Sequence, residues 1–294
     1  MAPRHPRRIP FVLRTMRLAL SASLLALLLL SACVKASSLP GDFQSFRGAL
    51  TPRGSSESVS RAGPVGFLVD FSLFSNLERR TGALFVPSPF ATLFADIYVD
   101  RHVAVRPAVA RACPRSRIKA LDPELPVVNT CIASSQLGRG LASGFLRNVG
   151  SPPGEYLRAL DLQVRAFRGS ANDEFVFYLY SELSKERLVP AKVWRLGNRG
   201  RFGSRIRFTI PRALIAPSSS LISQLAGFNI KIPASAAGGK GLFRLKRCPP
   251  DGKLRLGFRA FYNENLATKG GPLNPDGFAV NSESPLLTAT SGCR

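Results

Sequence analysis

The chain has 294 residues and a formal charge of +23, from 41 lysines and arginines against 18 aspartates and glutamates. That length holds one large domain or two small ones, and a charge of that size attracts anionic surfaces while its self-repulsion opposes compaction. The two histidines are His5 and His102, and no Cys-x-x-Cys pair occurs. Both facts argue against a metal centre, and with no Gly-x-Ser-x-Gly elbow present they also argue against Ser-His-Asp catalysis.

Arg4, Arg7, Arg8, Arg14 and Arg17 open the chain, and an apolar run over 18–30 follows, broken only by Ser21 and Ser23. Thirteen residues suit the core of a signal peptide and fall short of the ~20 that cross a bilayer as a helix. Every later apolar run is interrupted by Arg, Lys, Pro or Gly. Leu30-Ser31-Ala32-Cys33 then resembles the lipobox of bacterial lipoproteins, a Leu and two small residues before a Cys. The resemblance covers the leader alone. It implies that residues 1–32 are removed, that the Cys33 thiol carries a diacylglyceryl group, and that the new amino terminus is acylated. Two or three acyl chains, at about 0.8 kcal/mol per buried CH₂, hold a protein far more firmly than one. A start at Met16 would give a leader of ordinary proportions, and Val34 after the cysteine points to the outer membrane. An ordinary secretory signal is the alternative, which would leave the protein secreted. A transit peptide fits less well, being amphipathic rather than solidly leucine-rich.

Residues 33–63 read as the lipidated cysteine and a Ser-, Gly- and Pro-rich flexible tether. Residues 64–150 read as an N-terminal β-rich region. Stretches 66–71 and 83–86 look like short strands, 90–99 is a buried strand or a short helix, and 133–148 has helix-like spacing interrupted by Gly138, Gly140 and Gly144. Residues 151–294 read as a C-terminal antiparallel β domain. Leu160, Leu162, Val164 and Ala166 alternate onto one face, and turn chemistry at 169–173 leads to a second strand at 175–180. Further strands are expected at 205–210, 228–232, 241–247 and 253–262, with one short helix at 218–225. The expected fold is mainly β, an antiparallel β-sandwich or barrel-like body with one or two short helices behind the tether.

Four cysteines remain beyond Cys33. In an oxidising compartment Cys113, Cys131, Cys248 and Cys293 imply two disulfides with three possible connectivities. The local pairing, Cys113 with Cys131 and Cys248 with Cys293, keeps each bridge within its own half of the chain.

Removing the five leader arginines lowers the charge from +23 to +18. Arg205 and Arg207 oppose Ile206 and Phe208, Arg244 and Lys246 alternate with Phe243 and Leu245, and Arg255 and Arg259 oppose Leu256 and Phe258. On one sheet they would form a guanidinium-rich face suited to phosphate, carboxylate or sulfate. The competing reading is an ordinary solvated face in an Arg-rich composition. Asp96, Asp100 and His102 would share one side of a strand as an acid–base or metal cluster, against the simpler reading of a solvated edge.

The expectation is therefore a non-enzymatic, lipid-anchored cell-envelope protein without cofactor or specific nucleic acid. It would contact the membrane through its anchor, and anionic lipid, lipopolysaccharide or wall polymer through its basic face. A ligand- or glycan-binding module with a pocket bordered by Trp194 or Tyr178 is the second reading, and a carboxylate-dependent envelope hydrolase the third.

Overall fold

The computed structural model describes residues 44–52, 62–73, 91–119, 131, 135–151, 155–179, 188–197, 200–263, 280 and 282–293. The leader, Cys33, most of the tether and the strand expected at 83–86 lie outside them. All described residues belong to the second of two compact units, Pro40–Arg294.

Fourteen strands form one antiparallel sheet: β1 Gln44–Pro52, β2 Gly63–Leu73, β3 Ala91–Asp100, β4 Val103–Val105, β5 Gln136–Asn148, β6 Arg158–Arg168, β7 Glu174–Leu179, β8 Leu188–Arg195, β9 Phe202–Thr209, β10 Leu221–Ile232, β11 Phe243–Leu245, β12 Lys253–Asn263, β13 Ser282–Glu283 and β14 Leu287–Gly292. Among the described residues two single-turn α-helices, α1 Arg115–Lys119 and α2 Arg212–Ile215, join them. The mainly β, antiparallel, barrel-like expectation holds. Strands from both halves of the sequence interleave in the sheet, since β3 lies between β12 and β9 while β5 lies between β6 and β10.

Three local expectations fail, each for a physical reason. Residues 44–52, expected within the flexible tether, form strand β1, because Leu50 and Phe46 pack on the core. The stretch at 133–148 is not helical. Its glycines let β5 lie close to β10, and a Cβ on Gly140 would sit 1.9 Å from the Asn229 carbonyl oxygen. The stretch at 218–225 enters β10 at Leu221, where apolar alternation over twelve residues outweighs the short helical spacing. The ambiguous run at 90–99 is strand β3.

The sheet curls so that its inner face packs on itself. Phe177 of β7 meets Phe208 of β9 at 4.8 Å and Phe228 of β10 at 5.8 Å between ring centres. Phe228 stacks on Phe71 of β2, and Phe71 stacks on Phe258 of β12 at 4.3 Å. These rings bridge strands far apart in the sheet order, so one core fills the curl. Burying one such side chain contributes roughly 1.5–3 kcal/mol.

The curl brings the two margins together. Followed from β14 through β12, β3, β9, β8, β7, β6, β5, β10 and β2 to β1, it is a round of eleven strands joined by antiparallel ladders. No ladder joins β1 to β14 among the described residues, yet Phe46 of β1 stacks on Phe258 and the Leu50 amide donates to Ser291 Oγ at 3.0 Å. Short strands β11 and β4 lie past the end of β10 and contribute Val103, Phe243 and Leu245 to the core at one end of the round.

Both cysteine pairs form disulfides. Cys113–Cys131 and Cys248–Cys293 have Cα separations of 5.8 and 5.5 Å, within the ordinary range. The first anchors a satellite cluster with Ile118, Phe167, Val176, Tyr178 and Leu188. The second ties the end of β14 to the turn before β12, where the Cys293 amide also donates to the Gly252 carbonyl.

Candidate anion-binding site

Sheet register brings Arg205, Arg207 and Arg259 together. Arg207 of β9 and Arg259 of β12 are both opposite Asp96 of the strand between them, and Arg205 is two residues along. This face is less cationic than its sequence suggests. Asp96 has no exposed surface, and Arg207 donates to both its carboxylate oxygens, Nε to Oδ1 and Nη2 to Oδ2, each at 2.7 Å. Arg205 Nη1 lies 3.8 Å from Asp96 Oδ2, and the Tyr98 hydroxyl donates to the same oxygen at 3.3 Å. Hydrogen bonding to Asp96 raises the Arg207 pKa against the opposing effect of burial. Rings flank the cations: Phe94 lies 3.9 Å from the Arg207 guanidinium, and Trp194 lies 4.8 Å from that of Arg205. Arg259 pairs with Glu283 at 3.1 Å, and Arg255 pairs with Asp251. Four of the six expected cations thus meet carboxylates.

Asp96, Asp100 and His102 divide between two settings. Asp96 belongs to the arginine cluster. Asp100, 1% exposed, accepts from the His102 and Arg255 backbone amides and contacts His102 Nδ1 at 2.8 Å, closing the end of β3. No group of three metal-ligating side chains occurs among the described residues. Tyr178 is 4% exposed within the satellite cluster, while Trp194 is half-buried between cations.

The sixth expected cation, Lys246, leads elsewhere. A cleft of about 520 Å³ lies at the end of the round closed by β4 and β11, and it is lined by Arg101, Arg106, Arg195 and Lys246 together with Gly197, Gly203 and Ser204. Among the described residues no acidic side chain lines it. All four cations are exposed. The contacts described for two of them go to carbonyls: Arg101 Nη1 donates to Gly200 and Lys246 Nζ to Arg101, at 3.5 and 3.4 Å. Arg244, the remaining expected residue, is exposed on β11 outside this lining.

Backbone packing builds the cleft. The Arg101 amide donates to the Arg201 carbonyl and the Lys246 amide to the His102 carbonyl, while the Arg106 amide donates to the Leu242 carbonyl. These bonds hold the segment after β3 against β9 on one side and against the segment around β11 on the other. Gly203 permits the approach, because a Cβ there would meet Arg101 Cα at 2.7 Å. Four like charges around one concavity repel one another, and an anion with several oxygens would relieve that repulsion while accepting the guanidinium forks. Arg101, Arg106 and Arg195 stand outside the alternating strand patterns that carry the sequence signal. Arg101 lies within the Asp100-Arg101-His102 run and Arg195 follows Trp194, while Arg106 stands next to neither feature.

No family model, curated protein or solved structure matches this chain. Among the described residues no helix is long and apolar enough to cross a membrane.

Proposed function

We propose that this protein is an exported, lipid-anchored envelope protein whose β body binds an anionic polymer without chemical turnover. The observation that carries the binding reading is the cleft of Arg101, Arg106, Arg195 and Lys246, where four cations meet no carboxylate among the described residues. The lipobox resemblance at Cys33 supports the anchor. Position favours a polymer over the anchoring bilayer. β1 begins at Gln44 beside Tyr262, at the end of the round away from the cleft. The cleft thus lies at the end of the body away from the start of β1, a placement that suits wall polymer or an acidic glycan as its occupant.

The test is salt-dependent retention of the full-length protein on a phosphate-rich polymer such as polyphosphate. Replacing Arg101, Arg106, Arg195 and Lys246 by Ser should weaken retention at least about tenfold and flatten its salt dependence. Arg244→Ser serves as the control and should cost little. Equal retention by the quadruple variant would remove the cleft from the proposal, and preference for anionic vesicles over polymer would turn it toward a lipid surface. Intact mass of membrane-extracted protein tests the anchor separately, since the proposal requires a chain that starts at acylated Cys33.

A further inference from the structure

At the end of the round opposite the basic cleft, the tips of β5, β6, β7, β8 and β10 surround a second concavity of different character. Its walls include Leu160, Leu162, Leu179 and Val189, with Leu214 and Ile215 contributed by α2, and no charged residue lines it among the described residues. Leu160 and Leu162 continue the alternation of Val164 and Ala166, so the face that builds the core also builds this slot. The two sites are separated by the nine residue steps from Thr92 on β3 to Arg101 just past its end, a run of about 30 Å at ~3.3 Å per residue.

One polar group interrupts the aliphatic wall. Gln224 lines the slot at 2% exposure, and its Nε2 has no hydrogen-bond partner. A buried donor left unpaired is costly, and such groups are scarce in folded proteins. Water would serve the amide but not the leucines around it. An occupant that satisfies both has an oxygen acceptor at one point and hydrocarbon elsewhere.

We propose that this slot receives a single aliphatic chain whose carbonyl or carboxyl oxygen accepts from Gln224 Nε2, a fatty acyl group either free or borne on a lipid. The free space of about 60 Å³ is the share of roughly two waters, so a few methylenes enter before α2 must shift. That helix is a single turn, and it carries two of the wall residues. Tyr156 and Leu157, 46% and 57% exposed, form an apolar rim there: the Leu157 amide donates to the carbonyl of slot-lining Leu146 at 2.7 Å. This inference is independent of the basic cleft and of the anchor.

Delipidated full-length protein should be titrated with decanoate and with decane, with stoichiometry read by native mass spectrometry. A parallel arm follows extraction of a fluorescent acyl chain from neutral phospholipid vesicles. One decanoate per chain is expected. Gln224→Leu should weaken decanoate about tenfold, the worth of one hydrogen bond to a charged oxygen, while leaving decane unchanged. Val189→Phe should fill the slot and abolish both, and Leu214→Trp on the surface turn provides a second filling variant should the first not fold. Uptake of decanoate assigns free fatty acid as a ligand, and extraction from vesicles assigns a lipid-borne chain; each supports the proposal. Binding of neither, or wild-type affinity in Gln224→Leu and a folded filling variant, overturns it.

Discussion

Arg207 holds the fully buried carboxylate of Asp96 through two parallel hydrogen bonds of 2.7 Å, reaching across from β9 to β3. Arg205 and the Tyr98 hydroxyl take further contact with the same group. Removing one member of a buried pair leaves the other charge uncompensated, at a cost of 3–5 kcal/mol in deep sites. Arg207 retains some exposure, so Asp96→Ala should lose about 2–4 kcal/mol. Asp96→Ala combined with Arg207→Leu should lose less than the sum of the single changes. Urea unfolding of the four proteins measures the coupling, and strict additivity would show that the pair contributes nothing.

Alkaline pH should weaken the fold through buried phenols. Burial pushes the Tyr262 hydroxyl well above its ordinary value near 10, against the opposing hydrogen bond from Gln44. Burial and neighbouring Asp96 raise Tyr98 as well. The folded state then keeps protons that the unfolded chain releases, so stability is full below about pH 10 and declines as pH rises above it. Tyr262→Phe should flatten that decline. Chemical denaturation between pH 8 and 11 reads the slope, and identical slopes in the two proteins would refute the assignment.

The Cys248–Cys293 bridge spans 45 residues and the Cys113–Cys131 bridge 18. On the chain-entropy model these contribute about 4 and about 3 kcal/mol. Replacing Cys248 and Cys293 by Ser should lower stability more than replacing Cys113 and Cys131, as thermal melts of the two double variants would show. The reverse order would mean that the satellite cluster under α1 depends on its bridge for more than chain entropy.

Gly140 makes a sharper packing prediction than any core leucine. Its added Cβ would lie 1.9 Å from a backbone oxygen of β10, which no rotamer change can relieve. Gly140→Ala should therefore cost about 1–3 kcal/mol, as overpacked sites do. Gly238→Ala, where nothing lies within 4 Å but φ is +68°, isolates the cost of backbone strain without a clash. Denaturant midpoints for both variants separate the two effects.

Period-two patterning carries most of what the sequence discloses. The alternation at 160–166 and 205–210 marks β6 and β9, and the local cysteine pairing matches both bridges. β5 was hidden because its glycines serve the neighbouring backbone rather than a local preference. The guanidinium face is visible as a pattern, but neutralisation of Arg207 by Asp96 depends on β9 lying next to β3, a pairing between segments over a hundred residues apart. The basic cleft draws its cations from three separate stretches, 101–106, the end of β8 and the end of β11, that meet only after the sheet has curled; of the four, only Lys246 lies in an alternating pattern.

The odd number of strands in the round has a mechanical consequence. Ten successive reversals of direction leave β1 and β14 running the same way: Phe46 meets Phe258, the partner of Leu287, and Leu50 meets Ser291 itself, in rising order along β14. Among the described residues β1 has ladder bonds along one flank alone, to β2. Tension applied through the N-terminal segment reaches Gln44 first and loads that flank rung by rung. The seam without a ladder, between β1 and β14, is thereby the line along which the molecule would part under load.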